Sequence, residues 1–228
     1  FAFSSPLTFP QFSFLLPDAA STLPKRQVAN GVVDAFMHTM EQYMTYPANA
    51  PLQDRFAESI LQTLIEEGPK AYANPADYDA MSNLMWSATM ALNGLIGCGV
   101  PQDWAVHMMG HELTAQFEID HARTLAIIAP NHYTYNIGSK KEKLAQYGER
   151  VWGITSGTLE EKAHAAIEKT ATFFHSLGVK TKLSEYTDAY SGTAQNISKR
   201  FTDRGWAGLG ERQSLKPSDV EKIVEMSY

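Results

Sequence analysis

Cysteine is nearly missing from this 228-residue chain: Cys98 is the only one. That excludes an intramolecular disulfide and a Cys-rich zinc site, and it fits a reducing, cytoplasmic setting. Cys98 sits in "GLIGCGVP", where it reads as a small apolar filler. Positive charge is also short, with 19 Lys and Arg against 25 Asp and Glu, a net charge of −6. No basic stripe compensates, so a general nucleic-acid partner is excluded. The short run Lys140, Lys141 and Lys143 reads as solvated. No apolar stretch reaches the roughly 18 residues of a membrane span. The opening "FAFSSPLTFPQFSFLLP" lacks the basic start and small-residue cleavage site of a signal peptide. It lacks an initiating Met as well, and the chain is expected to begin partway through a longer protein. Strong strand alternation, internal repeats and low-complexity tracts are all missing.

What is present is helical. "FSFLLP", Phe12 to Pro17, alternates weakly and could form a short strand, but it has no partner in sequence. Thr22 and Pro24 then suit the start of a helix in which Val28, Val32, Phe36 and Met40 recur at a spacing of four. A second helix is expected over Leu52 to Ala73. A third, from Asn74 and Pro75, is nearly apolar in its later half and reads as a central, buried element. Gly97, Gly99 and Pro101 end it. Asp103 can cap a fourth helix through Phe117, and a fifth runs from His121 to about Tyr135. Thr158 and Glu161 form a capping-box pattern, with Gly178 closing that helix. Residues 179–213 are mixed, and Pro217 opens a last helix. The architecture predicted is an all-α bundle.

The chain has seven histidines, and three of them lie in "HMMGHELTAQFEIDH", His107 to His121. His107 and His111 are four apart, so both project from one helix face. His121 follows past the expected helix end, where a bend could return it to the same point. On the first helix, Asp34 and His38 in "DAFMH" form another i, i+4 pair. Both pairs lie on otherwise apolar faces, beside Val33, Met37 and Met40 in one case and Met108 and Leu113 in the other. Unpaired polar groups buried there are costly, and one cation would satisfy them together. Bundle interiors commonly hold metals in this way. Spacing leaves open whether His107 or His111 is the ligand.

Familiar zinc motifs do not fit. After His111-Glu112 come Leu113, Thr114 and Ala115, so H-E-x-x-H is incomplete. The dipeptide is Asp120-His121, the reverse of His-Asp. An all-α metal-dependent hydrolase remains an alternative, as does a helical binding module with incidental histidines. Trp86, Trp104, Trp152 and Trp206 read as core or domain-packing residues, with Trp104 one turn ahead of His107. His132, His164 and His175 read as surface or packing residues. Glu112 is either a partner orienting a ligand or a solvated or salt-bridged residue.

The segments "ANGVVDAFMHTMEQY", "ALNGLIGCGVPQDWAVHMMGHELTA" and "IDHARTLAIIAPN" resemble the iron-containing (group III) alcohol dehydrogenase family. The likeness is to the metal-binding domain of its butanol dehydrogenase and NADPH-dependent aldehyde reductase branch, from about Phe12 to the C-terminus. The resemblance implies Asp34, His38, His107 and His121 as ligands of one divalent metal, Fe(II) or Zn(II). It places His111 in the pocket near the nicotinamide and substrate, where it can pass a proton. The metal would polarise an aldehyde carbonyl for hydride transfer from NAD(P)H. NADP(H) is expected ahead of NAD(H), the substrate is a small aldehyde or alcohol, and a homodimer is compatible with this reading.

One departure from the family is large. No G-x-G-x-x-G or comparable strand-loop-helix unit occurs in the chain. Residues 1–17 are therefore expected as the remnant of a nucleotide-binding domain, including its last short strand, and 18–228 as the helical metal-binding domain. The chain on its own is expected to be inactive.

Overall fold

A computed structural model describes residues 5–206 and 208–228. Among them run nine α-helices: α1 Lys25–Tyr43, α2 Pro51–Ala73, α3 Tyr78–Leu92, α4 Ala105–Phe117, α5 His121–Tyr135, α6 Ile137–Trp152, α7 Leu159–Ser176, α8 Thr193–Asp203 and α9 Pro217–Met226. Beyond an isolated antiparallel bridge between Leu209 and Leu215, no β-structure forms among the described residues. The all-α expectation holds. The strand expected at Phe12–Pro17 does not form: that segment has no strand pairing and enters a 3-10 turn at Pro17–Ala20. A strand needs a neighbour to take its backbone bonds, and here Phe12, Phe14 and Leu16 stand exposed.

The central element is α1, not α3. Its Val28, Val32, Phe36, Met37 and Met40 are buried, and it packs on α2, α3 and α5. Burying each such side chain is worth about 1.5–3 kcal/mol. α1 begins later than Thr22 suggests, because the Pro24 carbonyl accepts the first bonds, from the N–H groups of Gln27 at 2.8 Å and Val28 at 3.2 Å. α3 is capped by Asp77, whose side chain accepts from the Ala80 N–H, and buries only a narrow stripe of Ala80, Met81, Leu84, Ser87 and Ala91. Trp86 and Leu92 on its apolar half are more than half exposed, so apolar content alone overstated its burial. Cys98, expected as filler, also lies exposed in the loop after α3.

The lysine run expected to be solvated lies in helix α6. Lys140 and Lys143 are buried in it, because carboxylates from other elements meet them. The Lys143 ammonium reaches Asp54 on α2. The capping box at Thr158 and Glu161 starts α7 as the sequence suggests. α4 and α5 approach closely at Gly110, where a Cβ would lie 2.9 Å from the Leu125 side chain. Among the described residues no helix is long and apolar enough to cross a membrane.

Candidate metal centre

Three helices converge on one point. α1 brings Asp34 and His38, α4 brings His107 and His111, and His121 is the first residue of α5. The return of His121 depends on the tight α4–α5 connection. Glu118 takes a left-handed conformation (φ 56°) at the end of α4, and α5 starts three residues later. The His111 and His121 rings then stack, with centroids 4.5 Å apart and planes 6° from parallel. His107 stacks on His38 at 4.8 Å and lies 5.2 Å from the His121 ring.

Asp34, His107 and His121 each offer one ligand atom, and these atoms lie within 4.8 Å of one another. His38 borders that trio, its Nδ1 3.7 Å from Asp34 Oδ2. His121 Nε2 is 3.7 Å from Asp34 Oδ1. His111 is exposed, on the solvent side of His121. Trp104 closes the other flank, its ring 5.1 Å from His107 and 6.1 Å from His38. It sits in a left-handed conformation (φ 62°) that a non-glycine residue seldom adopts.

The donor set fits a divalent cation. Asp34 Oδ1, His107 Nε2 and His121 Nδ1 are buried and lack any hydrogen-bond partner among the described residues. Leaving such atoms unpaired costs roughly 1–3 kcal/mol each. Burial lowers the proton affinity of all three imidazoles, although the Asp34 carboxylate pulls the other way. His107 and His121 are held down to about 4, so at neutral pH they present lone pairs rather than charge.

Two further carboxylates frame the cluster, and neither was among the site residues expected from the sequence. Glu41, one turn past His38, is buried and accepts from the N–H groups of Val106 at 2.7 Å and His107 at 3.0 Å. Its Oε2 also meets His107 Nδ1. Burial pushes the Glu41 carboxyl up, as does nearby Asp103, while the two backbone N–H groups oppose the shift. Asp120, just before His121, accepts from Arg26 Nε at 2.6 Å and Asn30 Nδ2 at 2.8 Å on α1. The available signal for Glu41 was a carboxylate between Met40 and Tyr43 in an apolar stretch.

The remaining candidates separate cleanly. Glu112 turns away from the cluster and pairs with Arg200 and Arg204, the second of its two sequence readings. His132 is buried, 3.7 Å from Asp103, whereas His164 and His175 are exposed. Trp152 and Trp206 pack against the core, while Trp86 does not.

This chain is 53% identical to the NADPH-dependent aldehyde reductase YqhD of Escherichia coli over 225 residues, 98% of the chain and 58% of that protein. It is 40% identical to NADH-dependent butanol dehydrogenase B of Clostridium acetobutylicum, over 96% of the chain and 56% of that protein. The chain thus spans less than two thirds of the length of these relatives. The solved substrate- and cofactor-free form of the E. coli reductase superposes with a TM-score of 0.90 at 52% identity, covering 93% of this chain and 56% of that one. NADH-dependent butanol dehydrogenase A of Thermotoga maritima superposes at 0.88 with 27% identity, covering 98% of this chain and 57% of that one. The model of the Fe-containing alcohol dehydrogenase family, C-terminal, matches residues 28–228, and the chain belongs to that family.

Proposed function

We propose that this chain is the metal-holding part of an NAD(P)-linked alcohol dehydrogenase or aldehyde reductase. Asp34, His38, His107 and His121 hold one divalent cation, Fe(II) or Zn(II). The carrying observation is that Asp34, His107 and His121 each bring one ligand atom within 4.8 Å of the others, while Asp34 Oδ1 and His107 Nε2 are buried and partnerless among the described residues. Neutral imidazoles with one carboxylate suit either metal. When bound, such an ion supplies Lewis acidity to a substrate oxygen.

The chain's own residues do the rest on their side of the cleft. His38 lies against both Asp34 and His107 and completes the ring of donors. His111, exposed and stacked on His121, can give a proton to the substrate oxygen or take one from it. Trp104 covers the flank of His38 and His107 and keeps water from it. The hydride comes from a nicotinamide, which needs a phosphate anchor that these residues do not form. Likeness to an NADPH-dependent reductase favours NADP(H), and small aldehydes and alcohols are the substrate class. The hydrolase alternative has no support, since these relatives bear reductase and dehydrogenase names.

Anomalous diffraction from metal-loaded crystals tests the site. A peak amid Asp34, His38, His107 and His121 is expected, and a peak elsewhere would overturn the assignment. Asp34→Ala should abolish binding in a calorimetric Zn(II) titration. His111→Ala should retain the metal yet lower aldehyde reduction by the full-length enzyme about 100-fold or more, the usual weight of a proton-transferring group. Metal loss in His111→Ala with retention in His107→Ala would reverse the two roles. NADPH oxidation by these 228 residues alone, metal-loaded, should be negligible.

A further inference from the structure

We infer that Glu41 selects the tautomer of His107 before any metal arrives, leaving Nε2 free to coordinate; this rests on the metal-centre reading above. The argument begins with the backbone. Trp104, ahead of α4, offers no capping side chain, so the first N–H groups of that helix need an outside acceptor. Glu41 provides it from α1: Oε1 takes the Val106 N–H and Oε2 takes the His107 N–H. Backbone amides can only donate, so both oxygens face them as acceptors. The Oε2 that receives the His107 amide is also the atom that meets His107 Nδ1. The two amide donors and the nearby Lys140 favour Glu41 as a carboxylate, and against a carboxylate a lone pair on Nδ1 would face oxygen lone pairs. A proton on Nδ1 instead makes a third bond to the carboxylate, and Nε2 is left bare.

His107 Nε2 is buried with no partner among the described residues, and His107 is one of the three residues, with Asp34 and His121, whose ligand atoms cluster. The opposite tautomer would bury an Nε2–H aimed into that cluster and set two acceptors against each other behind the ring. Carboxylates that hold the far nitrogen of a metal-binding histidine fix both its orientation and its tautomer. Among the described residues the other two histidines lack such a holder: the carboxylate beside His38 and His121 is Asp34, at 3.7 Å from each. Glu41 is thus a positioning residue with two linked tasks, capping α4 and presetting one donor on it.

The test needs no activity. Long-range proton–nitrogen correlation spectra of the metal-free wild-type chain at neutral pH should show His107 protonated at Nδ1 and bare at Nε2. A wild-type spectrum with the proton on Nε2 overturns the inference, whatever any variant does. Glu41→Gln places an amide NH2 against one of three donors, so the single-tautomer signature should be lost. Zn(II) affinity by calorimetry should then fall about 10- to 100-fold, the usual cost of removing such a partner. A folded Glu41→Gln chain that binds Zn(II) as tightly as wild type also overturns it. Failure of wild type itself to bind Zn(II) would instead strike the metal-centre reading, leaving the tautomer result to stand separately.

Discussion

Two carboxylates join the ligand-bearing helices to α1, and they do so in opposite surroundings. Glu41 ties α1 to the start of α4 with its side chain 1% exposed. Asp120 ties the start of α5 to α1 with its side chain 24% exposed and an Arg26 partner that is 62% exposed. The sealed junction continues inward. The Asp103 N–H donates to the Glu41 carbonyl at 2.9 Å, and Asp103 Oδ2 accepts from Lys140 Nζ, also at 2.9 Å. Lys140 in turn reaches Glu211 and the Met44 carbonyl. The open junction ends in solvent, at a shallow cleft lined by Asn30, Gly31, Asp34 and His121. Stiffness is therefore placed behind the cluster, where His107 must be held, and access is left on the His121 and His111 side.

If that contrast is right, the largest effect comes from breaking the sealed side at its cation. Lys140→Met leaves Asp103 and Glu211 buried without a counter-charge, at side-chain exposures of 3% and 8%. Removing one partner of a buried ion pair typically costs about 3–5 kcal/mol. Urea unfolding should show a loss of that size. Zn(II) affinity should fall with it, because Asp103 also accepts from the Ala105 N–H at the start of α4. A loss no larger than a surface pair gives would show that the inner network does not brace the site.

A second, smaller effect lies in the same network and depends on pH. Burial holds His132 down to about 4, with Lys140 adding to the shift and Asp103 opposing it. The fold thus favours neutral His132. Its contribution to stability is present above the ordinary value near 6.5 and is lost as pH falls through about 4. Glu211 runs the other way: burial raises it to about 6, so its contribution is present below the ordinary 4.5 and is lost as pH rises through 6. Comparing wild type with His132→Gln isolates the histidine. Wild type should lose up to about 3 kcal/mol more than the variant between pH 6.5 and 4. Parallel stability curves for the two would remove His132 from the account.

The same contrast shows which parts of the molecule were legible in the sequence. Helix periodicity and capping residues placed most helices, because each is written in residues a few positions apart. The D-x-x-x-H and H-x-x-x-H pairs exposed the cluster for the same reason. Helix α6 was hidden because its lysines look solvated until Asp103, Glu211 and Asp54 are brought to them from distant segments. Glu41 was hidden likewise: its partners, Val106 and His107, lie 65 and 66 residues away. Burial of α3 was misjudged because apolar content does not say which face meets a neighbour. A charge in a helix is ambiguous until its long-range partner is known, and much of this site's support consists of such pairs.

The smallest effect is expected at the open junction. Asp120 is held below the usual carboxylate range first by its hydrogen bond with Arg26, with Asn30 and the charges of Arg26 and Arg123 adding to this and partial burial opposing it. Asp120→Asn removes the charge but can keep an acceptor toward Arg26 or Asn30. Solvent already screens the pair, so the stability loss should stay below about 1 kcal/mol. As a depressed acid, Asp120 stabilises the fold above its ordinary value near 3.8 and loses that contribution as pH falls below it. The wild-type advantage over Asp120→Asn should therefore vanish in acid and shrink in high salt. Zn(II) affinity should change little, since the residues around His107 are untouched. A drop in affinity matching that of Glu41→Gln would mean that the placement of His121 is as demanding as that of His107. The distinction between a sealed and an open junction would then fail.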